Sequence, residues 1–253
     1  MHRWLLLLPL VACAPKSPTA SEPPAAESTT DQPSEPAATE PVLDMPDVSH
    51  DPATVAQMHT WLQLAEAARS QLTAGDLDAA RASAASMAAS PSPADIPASW
   101  RPFAADLLAE ATALASAETP QAAGGHLGRM ALACGTCHTE AGVVEQVAMV
   151  VLPEEMNDND ARMDNHQWAS DWMWFGLVTA DARFYRLGAA TFSGPGLPRP
   201  TDAVSGTEMR TLLEQVGRIA KFAEGAGDDE ERASNYGELL AACATCHAMA
   251  AAE

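Results

Sequence analysis

The sequence predicts an all-α fold built from two tandem antiparallel four-helix bundles. From position 51 onward, apolar residues recur at the three- and four-residue spacing of an α-helix, and no stretch alternates convincingly as a strand would. Capping residues and Gly or Pro breaks divide this region into eight segments. The segments follow one plan twice, over residues 51–150 and again over residues 155–253.

The first bundle, residues 51–150, is predicted to begin each helix at a recognisable signal. An Asp or Thr side chain can accept a hydrogen bond from the first N–H groups of a helix, and proline suits the first helical position. Glycine suits the residue that follows a helix. The signals are, in chain order, Asp51-Pro52, Gly75-Asp76, Ser99 and Thr119-Pro120.

The second bundle, residues 155–253, is predicted to contain the same four segments. Its first helix is expected from about residue 160 to residue 179, and its second runs from Asp181 to a Gly- and Pro-rich loop at 193–200. Two capping-box patterns then predict the starts of the third and fourth helices. These patterns are Ser205 with Glu208 and Asp228 with Glu231.

The last helix of each bundle carries the pattern C-x-x-C-H, as Cys134-Gly135-Thr136-Cys137-His138 and as Cys243-Ala244-Thr245-Cys246-His247. This pattern is the attachment signature of c-type haem. Two thiols one helical turn apart can each bond to a vinyl group on one edge of a porphyrin, and the adjacent histidine can then bind the iron. The sequence therefore predicts two covalently bound haem c groups. They would be held by Cys134, Cys137 and His138 and by Cys243, Cys246 and His247.

Zinc binding and thiol redox chemistry are the alternative uses of paired cysteines. Zinc ribbons separate their two C-x-x-C pairs by about 15–20 residues, whereas the second pair here begins 109 residues after the first. A thioredoxin-type pair belongs to a strand-rich βαβ context, which this sequence does not predict. Only Cys13 lies outside the two motifs, so no cysteine pair remains for a structural disulfide.

Four helices with C-x-x-C-H in the last one resemble the class II cytochromes c, the family of cytochrome c′ and cytochrome c-556. The resemblance covers nearly the whole chain after residue 50, and its specific motif is the C-terminal C-x-x-C-H. A class I domain would carry the motif near its start, but only six residues follow the second motif. The resemblance implies one haem per bundle, His138 and His247 as proximal iron ligands, and any distal ligand on the first helix of each bundle.

The sequence leaves the distal iron ligand open among three possibilities. His59 and His166 occupy equivalent positions in the repeat, each two residues before a tryptophan, and are the first choice. They would give bis-histidine ligation. Low-spin members of the family that the chain resembles use methionine, and Met58 and Met163 are the competing ligands. An open distal face is the third possibility.

The N-terminal 50 residues are predicted to be an export signal, residues 1–12, and a disordered tether, residues 13–50. The apolar run after the basic start is far shorter than the roughly 20 residues that span a bilayer. Leu10-Val11-Ala12-Cys13 resembles the lipobox of bacterial lipoproteins, which implies a diacylglycerol on Cys13. The residue after Cys13 is Ala14 and not Asp, which by analogy with Gram-negative lipoprotein sorting favours the outer membrane. The Pro-, Ala-, Ser- and Glu-rich sequence that follows cannot bury a core.

Charge and motifs together predict an electron carrier. The net charge of −20 argues against nucleic acid as a partner and favours redox proteins with basic docking surfaces. The sequence contains no recognisable catalytic triad, phosphate loop or acid–base pair, so we expect a protein that is not an enzyme. The expected function is one-electron transfer at the periplasmic face of a membrane. The alternatives are NO or CO binding at an open haem and, less favoured, a peroxidase-like activity.

Overall fold

The computed structural model of the protein describes residues 52–91, 96–142, 159–193 and 206–251, and most of these residues are helical. Within these ranges there are eight helices and no strand, so the predicted all-α fold is confirmed. The helices are α1 (Pro52–Thr73), α2 (Leu77–Ala88), α3 (Arg101–Ala115), α4 (Pro120–Glu140), α5 (Asn159–Val178), α6 (Ala182–Ser193), α7 (Thr207–Gly225) and α8 (Asp229–Ala251).

Several sequence predictions lie outside the described residues. They are the export signal at 1–12, the lipidation site Cys13, the tether at 13–50, the N-cap Asp51, the loop at 194–200 and Ser205. Across the described ranges, no helix is both long enough and apolar enough to cross a membrane.

Capping side chains determine where several helices begin. Asp76 accepts a hydrogen bond from the Ala79 N–H at 2.9 Å at the start of α2. Asp228 accepts one from the Glu231 N–H at 2.8 Å at the start of α8, and the Glu231 carboxylate accepts one from the Gly227 N–H at 2.8 Å. These bonds satisfy N–H groups that have no partner inside the helix. Both caps were expected from the sequence.

The start of α7 differs from the expected capping box. The helix begins at Thr207, and Gly206 occupies the N-cap position without a side-chain cap. Glu208 lies in the first turn, where its negative charge interacts favourably with the positive end of the helix dipole. The boundary is thus one residue later than the Ser205 pattern indicates.

Residues Val48–Glu253 form one compact unit, and consecutive helices pack on one another within α1–α4 and within α5–α8. Among the described helices, the most extensive contact joins α4 to α8, the two helices that carry C-x-x-C-H. In addition, α5 packs on α4, and α1 packs on both α4 and α8. The two halves of the chain therefore share an interface that contains both motif helices.

Glycines allow α4 and α8 to cross at close range. A Cβ atom on Gly124 would overlap the carbonyl oxygen of Gly237, and one on Gly128 would overlap the carbonyl oxygen of Ala233. In the opposite direction, a Cβ on Gly237 would lie 2.7 Å from the Gly124 carbonyl oxygen. Because glycine carries no side chain, the two backbones can touch where other residues would hold them apart.

A charged and aromatic cluster ties α1 to α5 and α8. The Arg69 guanidinium of α1 lies 2.7 Å from the Asp171 carboxylate of α5 and 5.6 Å from the centre of the Trp174 ring. The Trp174 ring centre is 6.2 Å from that of the fully buried Tyr236 in α8. A buried guanidinium needs such an acceptor, since an uncompensated buried charge is strongly destabilising.

An ion-pair group joins α3 to α4. The Glu110 carboxylate of α3 lies 2.7 Å from His126 Nδ1 and accepts a hydrogen bond from Arg129 Nε at 2.9 Å. Burial opposes ionisation of Glu110, but the hydrogen bonds from Arg129 and His126 outweigh it, so its pKa is lowered from the usual 4.5. The ionised carboxylate is thus the form that the fold stabilises.

Candidate functional site

Each C-x-x-C-H motif lies in the last turns of a long helix, which places its three reactive side chains together. On α4, Cys134, Cys137 and His138 are separated by three and one residues, so all three point to the same side of the helix. The equivalent residues of α8 have the same spacing. All four motif thiols are free and half-buried.

The first motif borders a cavity of about 220 Å³. Its walls come from α1, from α3 and the residues just before it, from the end of α4, and from the end of α5. Most of the lining is apolar, and no Asp, Glu, Lys or Arg contributes to it. Large wall residues include Trp61, Trp100, Phe103 and Phe175.

Two candidate distal ligands line this cavity. His59 and Met58 are both wall residues on α1, while Cys134, Cys137 and His138 border the cavity from α4. The side chain of His59 is exposed and that of Met58 is half-buried. Both side chains that the sequence proposed as distal ligands are therefore on α1, the first helix, as expected. Their positions in the cavity wall do not choose between them.

The ring of His138 is oriented by a backbone carbonyl from α5. Its Nδ1 lies 2.9 Å from the carbonyl oxygen of Val178. A carbonyl can only accept, so Nδ1 carries the proton and the lone pair of the neutral ring is on Nε2. Metal-bound histidines commonly have this arrangement, in which the second nitrogen donates to a carbonyl and fixes the ring.

The second motif lies near a half-buried histidine of α5, His166. The Nε2 atom of His166 is buried and makes no hydrogen bond within the part of the chain that the structure describes. The ring packs on Phe192, with 4.9 Å between ring centres. Burial and the nearby His247 lower the pKa of His166 to about 4, because both oppose a positive charge. A neutral imidazole with an unused buried nitrogen next to His247 is the state that a metal ligand requires.

The competing methionine is less well placed at this second motif. Met163 is 37% exposed, whereas His166 is half-buried and its Nε2 atom is fully buried. A different methionine contacts the motif, since Met209 Sδ of α7 lies 3.3 Å from Cys246 Sγ. Burial raises the pKa of the Cys243 thiol to about 12, so this thiol is protonated at neutral pH.

Sequence reasoning missed the contribution of α5 to the first site. Phe175 and Val178 belong to the second half of the chain, yet both line the cavity beside the first motif. A backbone carbonyl leaves no mark in the side-chain pattern, so no motif could have indicated Val178. The glycine at 135 was the only available signal, because a glycine inside a helix indicates a close approach by another backbone.

These residues fit a covalently attached haem. The first cavity brings together two thiols, an oriented imidazole, an apolar wall and two possible distal ligands, and the second motif faces an imidazole whose Nε2 is buried without a hydrogen bond. Among the described residues, no three His, Cys, Asp or Glu side chains form a metal-binding group of their own. The zinc alternative thus has no preformed ligand cluster in this part of the chain.

In comparisons with known proteins, no protein-family model, no curated protein and no solved structure matches this chain.

Proposed function

We propose that this chain is a dihaem c-type cytochrome that transfers single electrons. The observation that carries the proposal is the pairing of each C-x-x-C-H with a histidine on a neighbouring helix. His138 and the two thiols of its motif share a cavity with His59, and His247 lies near the half-buried His166. Haem, when bound, supplies an iron that changes between the ferric and ferrous states.

The protein residues have three tasks in this proposal. The four thiols anchor the two groups covalently, and His138 and His247 serve as proximal ligands. The Val178 carbonyl holds the first of these rings in the tautomer that offers Nε2. The aromatic walls reduce access of water, which favours electron transfer over reactions with solvent-borne molecules.

We also infer that α1–α4 and α5–α8 are two copies of one antiparallel four-helix unit, residues 51–150 and 155–253. Their helices have the same order, and the motif ends the fourth helix of each. The turn after the first helix supports the duplication. Gly75 and Ala180 both adopt positive φ, of 84° and 53°, in turns of the same design. The extensive α4–α8 contact makes the two units a single body rather than independent modules.

Electron transfer is favoured over catalysis by the composition of the first cavity. Its described lining contains no carboxylate and no lysine or arginine, so a general acid–base pair is missing from this wall. A peroxidase-like enzyme needs polar groups beside an open iron face. On α1, the polar lining residues are His59 and Thr54, and we assign His59 to the iron as a ligand.

Binding of NO or CO is the second candidate function, and one observation favours it. The cavity beside the first motif is lined by both the exposed His59 and the half-buried Met58. If neither side chain binds iron, a small gas can occupy that face. The absorption spectrum distinguishes the three functions. Two low-spin haems support electron transfer, two high-spin haems support gas binding, and one haem of each kind supports a peroxidase-like activity.

We place the protein outside the cytoplasm, lipid-anchored through Cys13 and facing the periplasm, with the outer membrane favoured. The Leu10–Cys13 pattern supports this, and c-type haem is attached outside the cytoplasm. The net charge of −20 supports redox partners that present basic docking surfaces. Opposite charges would speed their encounter, and the rate would fall as salt rises.

Intact-mass measurement tests the proposal directly. The full chain, expressed with haem-attachment machinery, should carry two haem groups. A variant with Cys134→Ala and Cys137→Ala should carry one, and so should a variant with Cys243→Ala and Cys246→Ala. Bound zinc, or a mass without any haem increment, would rule the proposal out.

A further inference from the structure

We propose that the backbone carbonyl of Val178 is a positioning group for the first haem, supplied by the other half of the chain. The inference rests on the proposed function, because it concerns how His138 binds iron. It adds that the first site is complete only when α5 docks on α4. The second half would then influence the reduction potential of a haem that it does not carry.

The carbonyl is available because of the way α5 ends. The Asp181 N–H bonds to the Gly176 carbonyl at 2.8 Å, and the Ala180 N–H bonds to the Leu177 carbonyl at 3.2 Å. This pair of bonds is the Schellman pattern, with Ala180 at the left-handed position. The pattern satisfies the carbonyls of Gly176 and Leu177 and leaves that of Val178 to accept from outside the helix.

Gly135, inside the first motif, lets α5 come close enough. A Cβ atom on Gly135 would overlap the Leu177 carbonyl oxygen and lie 3.2 Å from the Ala180 nitrogen. The second motif has Ala244 at the same place. The haem-attachment pattern therefore accepts alanine here, and we assign the glycine to the contact with α5.

The two sites differ in this respect. The His138 ring donates to the Val178 carbonyl, whereas no side-chain hydrogen bond among the described residues involves the His247 ring. A hydrogen bond from Nδ1 makes the histidine a stronger electron donor, which favours ferric iron and lowers the reduction potential. The first haem should thus have a lower potential than it would without Val178.

The same helix reaches the second site as well. His166 lies near His247, and Val178 follows His166 by twelve residues, which corresponds to about 18 Å along an α-helix. The two contacts are thus about three turns of α5 apart. Displacing its C-terminal end should therefore alter the first haem while the second keeps its ligand.

The test uses the full chain with one haem at a time. In the background Cys243→Ala with Cys246→Ala, only the first haem is attached, and Gly135→Ala is added to it. Gly125→Ala is the matched control, because it changes the same helix and its new Cβ meets only the Arg129 side chain, at 3.5 Å. The reduction potential is read by spectroscopic titration.

We expect Gly135→Ala to raise the potential of the first haem and Gly125→Ala to leave it unchanged. Second-shell partners of metal ligands typically change binding about 10- to 100-fold. A tenfold change in the ratio of ferrous to ferric iron corresponds to about 59 mV for a one-electron couple. In the opposite background, Cys134→Ala with Cys137→Ala, Gly135→Ala should not move the potential of the second haem.

The outcomes separate this inference from the proposed function. If no variant carries haem, both fail. If haem is attached but Gly135→Ala has the potential of its parent, the positioning role is wrong and the proposed function stands. Should Gly135→Ala not fold, Ala180→Val decides instead, because a β-branched residue disfavours positive φ and so disturbs the C-terminal turn of α5 while the sequence of α4 stays unchanged. It should raise the first potential too, and an unchanged value would refute the role.

Discussion

Replacing Gly128 by alanine is expected to destabilise the folded chain by about 2 kcal/mol, because α4 and α8 cross at this residue. In a helix without tertiary contacts, alanine is favoured over glycine by about 1 kcal/mol. Overpacking a buried contact costs about 1–3 kcal/mol. Here the added Cβ would overlap the carbonyl oxygen of Ala233, and a backbone cannot rotate away as a side chain can. We therefore take about 3 kcal/mol for the overlap and subtract the gain in helix propensity.

Thermal unfolding of the two variants Gly128→Ala and Gly125→Ala, followed by circular dichroism at the helix band, measures this difference. A Cβ at 125 would meet only the Arg129 side chain, at 3.5 Å, so this control should gain about 0.5–1 kcal/mol of stability from propensity alone. In a domain of about 200 residues, 1 kcal/mol shifts Tm by about 2–4 °C. Gly128→Ala should therefore lower Tm by about 4–8 °C, and Gly125→Ala should raise it by about 1–4 °C.

Equal increases in Tm for the two variants would refute the close crossing. Position 128 would then behave as an open helix surface, and α4 and α8 could not approach as described. A loss of stability in both variants would instead mean that any change to α4 disturbs the fold, and the contact with Ala233 would lose its special role.

The remaining predictions concern the distal ligand, pH and the membrane. His166→Ala should leave both haems attached but turn half of the iron high-spin and able to bind CO, while Met163→Ala should leave the spectrum unchanged; the reverse result would transfer the ligand role to the methionine. Glu110→Gln should lower Tm at pH 7 by an amount corresponding to about 1 kcal/mol or less, and the difference should shrink as pH falls below 4.5 and through the lowered pKa of folded Glu110. The folded pKa of Glu110 is below its unfolded value, so its contribution is present above the unfolded pKa near 4.5 and is lost as pH falls through the folded value. Cys13→Ala should move the protein from the membrane fraction to the soluble fraction with the same haem spectrum, and a variant that stays with the membrane would refute lipidation at this residue.

The sequence predicted individual helices well because helix starts depend on local chemistry. Asp76, Thr119 and Asp228 each accept a hydrogen bond from an N–H group three residues ahead, and nothing distant is needed for that. Gly75 follows α1 at a φ of 84°, as expected for a glycine after a helix. The predicted start of α7 is one residue too early, since the helix begins at Thr207. A Ser-x-x-Glu pattern can also occur by chance next to a helix start.

Ligand candidates were only partly accessible to sequence reasoning. The repeat selected His59 and His166 as equivalent residues, and the structure puts each near a motif. Their environments differ, since the first is exposed and the Nε2 of the second is buried. Equivalent positions in a repeat share a backbone location, but the burial of a side chain depends on neighbours that the repeat does not copy.

From its own pattern the sequence determined the all-α class, several of the helix starts and the two C-x-x-C-H motifs, because each depends on residues within a few positions of one another. Tertiary structure alone decided that α4 crosses α8 at Gly128 and that the Val178 carbonyl reaches His138 across 40 residues of sequence. These contacts join backbone atoms, which are the same in every residue and carry no signal in the order of side chains. Only the packing of the whole chain selects which carbonyl meets which ring.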